Sequence, residues 1–165
     1  MPVTTPQGAG FRVEKTRSRA TIALSNGDTV PGCFFLAGSS VHSLDPERVG
    51  ELLNAESGFF PFEVHERGEP RTMLVNRSHV VMVTLADNET RQDPDYGVAT
   101  RREVSLSLSN GLRMTGVVLV HRPEGHDRLS DWARHPVQFR YLERDQATLI
   151  VNVAHVIEVS EVPRS

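Results

Sequence analysis

The chain has 165 residues, of which 38% are hydrophobic and 24% are charged, and its formal net charge is −3. This composition is typical of a globular protein, and the acidic balance excludes the overall basic charge that attracts nucleic acid. No apolar run approaches the roughly 20 residues that cross a bilayer, and a single cysteine excludes an internal disulfide. Because the N-terminus also lacks the pattern of a secretory signal, we expect a cytoplasmic protein with no membrane span.

Residues 1–18 are polar and show no periodicity, which is typical of a flexible arm. Basic side chains are concentrated at its end and just beyond it, at Arg12, Lys15, Arg17 and Arg19. A basic arm can contact phosphates, but a solvated tail is the interpretation that we favour.

An internal repeat organises the rest of the chain. Residues 22–27 read Ile-Ala-Leu-Ser-Asn-Gly, and residues 106–111 read Leu-Ser-Leu-Ser-Asn-Gly. Such a repeat predicts two copies of one structural unit, at 19–86 and 101–162, joined by a polar linker at 87–100. A unit of roughly 70 residues is marginally stable alone, so we expect the two to pack together.

Apolar and polar residues alternate before each Asn-Gly pair, which predicts a strand with one buried face. Asn-Gly between strands is a strong hairpin signal, because a type I′ turn needs positive φ at both central residues. We therefore expect type I′ turns at Asn26-Gly27 and Asn110-Gly111.

The return strands are predicted at 28–36 and 112–120, and each contains a glycine, Gly32 or Gly116. Glycine inside a strand predicts a bulge or a sharp bend, and sharp bending is how a small sheet closes into a barrel.

A short helix is predicted next in both units. Asp45 is a candidate N-cap, with Pro46 at the first helical position, and Asp127 is the candidate N-cap of the second helix, which ends near Pro136. The apolar residues at helical spacing are Val49, Leu52 and Leu53 in the first unit and Leu129, Trp132 and Ala133 in the second.

A third strand follows each helix, and we align residues 60–64 with residues 137–141 one to one. The fourth strands end at Asn76 and Asn152, where tight turns are predicted. The fifth strands are predicted at 80–84 and 156–160.

This order of elements, with Val-Asn-x-x-His-Val between the last two strands, resembles the Sm class of small bent barrels, which includes the bacterial host-factor RNA chaperones. The segment Arg-Leu-Ser-Asp at 128–131 is similar to small bacterial proteins of unknown function that share the terminal Val-Asn-x-x-His strand. The resemblance implies a mainly β fold of two tandem five-stranded Sm-like barrels, each with a short inserted helix. In the host-factor chaperones a Lys-His pair at this turn contacts RNA, whereas this chain has Ser78-His79 and Ala154-His155.

Few residues are arranged for chemistry. His79 and His155 recur at one place in the repeat and are candidates for a shared ligand site or for local hydrogen bonds that cover the turn. Cys33 aligns with Val117, so we interpret it as a packing residue and not a nucleophile. No spacing typical of a metal site occurs, and we expect no metal and no cofactor. We interpret the phenylalanines as core residues, an interpretation that an exposed Phe35 or Phe59 would change; they are Phe34, Phe35, Phe59, Phe60 and Phe62.

These observations favour a non-catalytic cytoplasmic interaction module, a regulator or scaffold that offers its sheet edges and inserted helix to a protein partner. The alternative is an RNA- or DNA-binding protein that uses the basic arm, the two His turns, Arg77 and the pair Arg101-Arg102. Net charge disfavours nucleic acid, and a homo-oligomer is left open. An enzyme is the third option, without a named residue.

Overall fold

The computed structural model describes residues 15–38, 45–87, 96–120 and 128–164. These residues form ten β-strands and two short α-helices. In the first half they are β1 (Lys15–Leu24), β2 (Thr29–Ala37), α1 (Val49–Ala55), β3 (Phe59–Val64), β4 (Arg71–Asn76) and β5 (Val80–Leu85). In the second half they are β6 (Thr100–Leu108), β7 (Arg113–Val120), α2 (Leu129–Arg134), β8 (Phe139–Arg144), β9 (Ala147–Asn152) and β10 (Val156–Glu161).

All ten strands belong to one antiparallel sheet, in the order β10-β6-β7-β8-β9-β5-β1-β2-β3-β4. Each half orders its own strands as five, one, two, three, four. The predicted mainly β fold with two short helices is confirmed. The sequence repeat is therefore also a repeat of topology.

The two halves meet where β5 pairs with β9, which we call the internal junction. Val83 lies opposite Ile150, and Leu85 lies opposite Thr148. Strand five of the first half is thus hydrogen-bonded to strand four of the second, and the sheet passes from one half to the other without a break.

Buried apolar side chains form two clusters, one for each half. The first is built around stacked and edge-on phenylalanine rings, with the Phe34 centroid 5.4 Å from that of Phe60 and 5.1 Å from that of Phe62. Each cluster also takes residues from the other half. Phe139 and Ile150 lie in the first cluster, and Val81 lies in the second. The two cores are joined across the internal junction.

Both Asn-Gly pairs lie in tight hairpin turns, but the expected type I′ conformation is wrong. The amide of Gly27 donates to the Leu24 carbonyl (3.0 Å), and the amide of Leu24 donates to the Asp28 carbonyl (2.9 Å). Gly27 has a φ of +93°, whereas Asn26 is not among the residues with positive φ. This is the three-residue loop in which a left-handed glycine closes the turn as a bulge. The second turn repeats these contacts, and the φ of Gly111 is +87°.

A two-residue turn with positive φ at both central positions does occur, between β8 and β9. Asp145 has a φ of +48° and Gln146 a φ of +66°, and Arg144 pairs with Ala147 across the turn. Asp-Gln carries no glycine, so the sequence gives little warning of this geometry. The first half has the longer connection 65–70 at the same place.

The two strand glycines permit close packing and do not form bulges. Pairing runs through Gly32 and through Gly116 without a shift in register, so of the two expected features, a bulge or a sharp bend, the bulge is absent. A Cβ on Gly32 would lie 1.9 Å from the Glu63 carbonyl oxygen, and one on Gly116 would lie 2.8 Å from the Cγ of Leu142. Only glycine lets the third strand approach this closely.

Helix α1 begins later than predicted. It starts at Val49 after Arg48, and not at Pro46 after Asp45. The physical reason is a carboxylate in the first turn, because Glu51 accepts a hydrogen bond from the Arg48 amide (2.9 Å) and so satisfies the start of the helix there.

Helix α2 begins in the same way. The amide of Arg128 donates to the Asp131 carboxylate (3.1 Å), and the helix starts at Leu129. The predicted N-cap, Asp127, lies outside the described residues.

The alignment of the third strands is wrong by three residues. Phe59 pairs with Asn76, and Phe139 pairs with Asn152, so these two phenylalanines are the equivalent positions. Matching the two segments by their alternation of apolar and polar residues places the third strand of the second half at 137–141. Counting from the helix starts, Val49 and Leu129, gives the correct match. Counting back from the Val-Asn pairs does not, because the connection before the fourth strand is 65–70 in the first half and only 145–146 in the second.

Strand β1 begins at Lys15, so residues 15–18 of the predicted arm belong to the sheet. Lys15 lies opposite Ala37, because β2 extends one residue beyond its predicted end and gives β1 a partner. Strand β6 similarly begins at Thr100, the last residue of the predicted linker.

Candidate functional site

His155 links the two halves. Its Nδ1 lies 2.6 Å from the Ser109 Oγ, and its Nε2 lies 2.7 Å from the Ser78 carbonyl oxygen, which belongs to the first half. Because a carbonyl oxygen only accepts, Nε2 must carry the proton in this contact. The ring therefore holds the turn before β10 against the turn before β5.

His79 occupies the equivalent position with half of these contacts. Its Nδ1 lies 2.8 Å from the Ser25 Oγ, and the described residues provide no partner for its Nε2. The turn of His79 thus resembles the turn of His155 with the neighbouring half removed.

Asn152 is buried where the halves meet, and its side-chain amide forms hydrogen bonds with both halves. Its Oδ1 accepts from the Ala154 amide (3.0 Å) and from Gln138 (3.1 Å), and its Nδ2 donates to the Val80 carbonyl (2.8 Å). The equivalent Asn76 is half-buried, and its Oδ1 accepts from the amide (3.0 Å) and hydroxyl (2.9 Å) of Ser78.

Arg77 is buried and serves the first half internally. Its guanidinium donates to the carbonyls of Phe59 (2.9 Å) and Leu52 (3.1 Å) and lies over the Phe60 ring, 5.3 Å from the centroid. Burial lowers the pKa of Arg77 from its ordinary value. This placement leaves little of the side chain to contact a phosphate.

Arg140 plays the same part in the second half, and sequence reasoning missed it. Its guanidinium donates to carbonyls that end helix α2, including that of Trp132, and lies 4.6 Å from the centroid of the Trp132 ring. Trp132 occupies the position of Leu52, so each half uses one arginine to satisfy the same helical carbonyl. Arg77 lies in the turn before β5, whereas Arg140 lies in β8, so an alignment of the two halves does not match them.

The basic residues at the start of β1 are exposed. Lys15, Arg17 and Arg19 alternate along the strand, and Arg17 forms an ion pair with Glu63 (3.2 Å) and lies over the Phe35 ring. Arg12, the fourth predicted member of this group, lies outside the described residues.

Arg101 and Arg102 line an open cavity of about 730 Å³ on the second half, together with Arg164. Arg101 is paired with Glu143 (2.8 Å), and hydrogen bonds to Tyr96 and then to Glu143 raise its pKa. Arg102 lies 3.6 Å from a carboxylate of β10. Carboxylates thus offset much of the positive charge here.

One group of metal-ligand residue types comes together that the sequence analysis did not anticipate. The ligand atoms of Cys33, Glu63 and His65 all lie within 4.8 Å of one another. Glu63 already pairs with Arg17 and with the His65 Nε2 (2.8 Å), and burial, aided by Glu63, raises the pKa of the Cys33 thiol. These contacts account for the cluster without an ion. The signal in the sequence was Glu63-x-His65, two polar residues on one face at the end of a strand.

The outer strands of the sheet carry exposed apolar side chains. Within the described residues β4 and β10 have no strand on their outer side. Leu74 on β4 is 67% exposed, and Ile157 on β10 is 71% exposed. Phe59, which pairs with the end of β4, is 62% exposed, whereas Phe34, Phe60 and Phe62 are buried as expected.

Comparison with protein-family models, with curated proteins and with solved structures found no match for this chain. In the described part of the chain, neither helix has the length and apolar character needed to cross a membrane.

Proposed function

We propose that the protein is a non-catalytic interaction module that binds a protein partner at the open edges of its sheet. An unpaired edge presents a row of backbone donors and acceptors to which another strand can add. The observation that carries the proposal is the exposure of Leu74 and Ile157 on the two edge strands. Edge strands that bind no partner usually carry polar or charged side chains at such positions. Apolar side chains there favour a binding partner.

The proposal includes a fold assignment, two tandem Sm-like five-stranded units in the role of a cytoplasmic regulator or scaffold. What supports it is that both halves repeat one plan of five strands and an inserted helix, with a tight 3₁₀ turn at Arg77–His79 and at Val153–His155. Both halves also place a glycine where the third strand packs closely.

The test is affinity capture from nuclease-treated lysate, followed by a binding measurement with the purified partner. The double variant Leu74→Lys with Ile157→Lys places charge on both edges, at positions where an exposed side chain is tolerated. We expect it to weaken binding at least about tenfold, which corresponds to roughly 1.4 kcal/mol. Val98→Lys is the matched control, because Val98 is exposed but lies on neither edge. Equal binding by the wild type and the double variant would refute the proposal.

A second candidate function is nucleic-acid binding, favoured by the exposed row Lys15, Arg17 and Arg19 and by the arginines around the 730 Å³ cavity. If phosphates are the ligand, affinity must fall steeply as salt rises, because each neutralised phosphate releases counterions.

For this net-acidic chain we expect no tight binding of short RNA or DNA at physiological salt. Filter binding at low and at physiological salt decides the question. Tight binding that persists at the higher salt, and that is lost on Arg17→Ala with Arg19→Ala, would establish the second function in place of the first.

A further inference from the structure

We propose that the partner of the two edges is a second copy of the same chain, with β4 of one copy paired antiparallel to β10 of the next. This inference rests on the proposed function, since it names the partner that the edges bind. It follows from comparing the free edges with the internal junction.

The internal junction pairs strand five of one half (β5) with strand four of the other (β9). The strands left at the two ends of the sheet are the other strand four, β4, and the other strand five, β10. Each chain therefore ends in the two complementary halves of an interface that it already contains in its middle.

The apolar residues at the free edges are the equivalents of residues buried at the internal junction. Counting back from Asn152 and Asn76 matches Ile150, which is fully buried in the first cluster, with the exposed Leu74. Cross-strand pairing with Asn152 and with Asn76 matches the buried Phe139 with the exposed Phe59. Both buried residues lie in the core of the neighbouring half, which is the environment that the exposed pair lacks.

The opposite edge shows the same relation. Pairing of β5 with β1 shifts register so that Val81 is left out of the ladder, and pairing of β10 with β6 shifts so that Ile157 is left out. Val81 is fully buried in the second cluster, across the internal junction, whereas Ile157 is 71% exposed. Ile157 would enter the first cluster of the next copy, just as Val81 enters the second cluster of its own chain.

Polar groups at the free edge are also in place. The Nε2 of His155 bonds to the Ser78 carbonyl across the internal junction, and by equivalence the Nε2 of His79 would meet the Ala154 carbonyl of the neighbouring copy. Asn76 would likewise donate to the Val156 carbonyl, as Asn152 donates to that of Val80. The recurrence of His79 in the sequence then has a physical reason.

Three differences make the contact between copies weaker than the internal one. Asn54 of α1 bonds to both the amide (2.9 Å) and the carbonyl (2.8 Å) of Phe139, and Arg134 stands at its equivalent position in α2. Glu158 stands at the position equivalent to the half-buried Met82, and its carboxylate can stay in contact with water. The contact between copies is also not assisted by a covalent link.

Such an interface is heterologous, because the two surfaces that meet are different. Every copy has one of each, so association continues head to tail until the assembly closes into a ring or forms an open chain. A pairing of two identical edges would instead stop at a dimer.

The experiment is light scattering after size exclusion over a concentration series. We expect the wild type and the control Val98→Lys to give masses that are multiples of 18.3 kDa. Leu74→Lys blocks only the β4 edge and Ile157→Lys blocks only the β10 edge, so each variant alone should be monomeric. Mixed in equal amounts they should form a species of twice 18.3 kDa and nothing larger, because only one intact pair of edges remains.

A wild type that is monomeric at every concentration would overturn the inference, as would a dimer of either single variant alone. The proposed function is judged separately by partner capture. Capture that depends on the edges with a monomeric wild type would retain the interaction module and reject the self-partner, and loss of both would reject both.

Discussion

Asn152 reaches the first half through its Nδ2 and holds its own half through its Oδ1, while its equivalent Asn76 bonds only within its own turn. We predict that Asn152→Ala lowers the free energy of unfolding by about 2 to 4 kcal/mol, because buried groups at both ends of the amide lose their partners. Asn76→Ala should cost about 1 kcal/mol, the usual loss of a capping side chain. Urea unfolding at low protein concentration measures both. Equal losses would show that the junction does not depend on this amide.

For single residues, the sequence predicts where a residue lies in the repeat better than what its side chain contacts. It marks His79 and His155 as recurring, but whether a ring nitrogen meets a carbonyl depends on which half lies beside it, and that is a tertiary contact. It marks Cys33 as a packing residue from its match with Val117, and Cys33 is buried. Arg77 reads as a surface cation in the sequence, and only the nearby carbonyls and the Phe60 ring explain its burial.

The hairpin turns are elements whose conformation rests on one residue each. We predict that Gly27→Val costs more than about 1 kcal/mol, since valine strongly resists a positive φ. No atom lies within 4 Å of a Cβ placed there, so the loss reports backbone strain and not a clash. Gly97→Val is the control, because that site is equally open and its φ is outside the left-handed region. Thermal melts should separate the two variants, and matching melting temperatures would contradict the assigned turn.

Strand existence and order within the repeat follow from alternation and from the Asn-Gly signals. The register of the third strand does not, because its apolar alternation also matches residues 137–141, whereas strand pairing makes Phe59 and Phe139 equivalent. The turn after the third strand is also not evident from the sequence. The Asp145-Gln146 turn needs two residues where the first half uses 65–70, and neither aspartate nor glutamine announces positive φ.

The whole chain should unfold as one body, because each core contains residues of the other half. We predict one calorimetric transition for the full chain, and fragments 1–90 and 98–165 that lose structure apart and regain it when mixed. Circular dichroism of each fragment and of the mixture is the measurement. Two fragments that fold alone with sharp transitions and do not bind each other would show two independent domains.

The repeat predicted that the halves pack together, but not how. Packing face to face and pairing edge to edge would each join the two marginally stable units. Which of them occurs depends on whether β5 pairs with β9, and alternation in the sequence cannot indicate that. The exposed Phe59 likewise becomes meaningful only beside its buried counterpart Phe139.

The pairing of β5 with β9 has a consequence during synthesis. All five strands of the first half leave the ribosome before β9 exists, and roughly 67 further residues, 86–152, must be added before β9 is complete. At about 5 to 20 residues per second this takes about 3 to 13 s. For that interval Val81 and the edge of β5 are uncovered on the nascent chain. Neighbouring chains on one messenger RNA offer the matching β9 at the same time, so translation at low density, or a chaperone that covers β5, favours the correct intramolecular pairing.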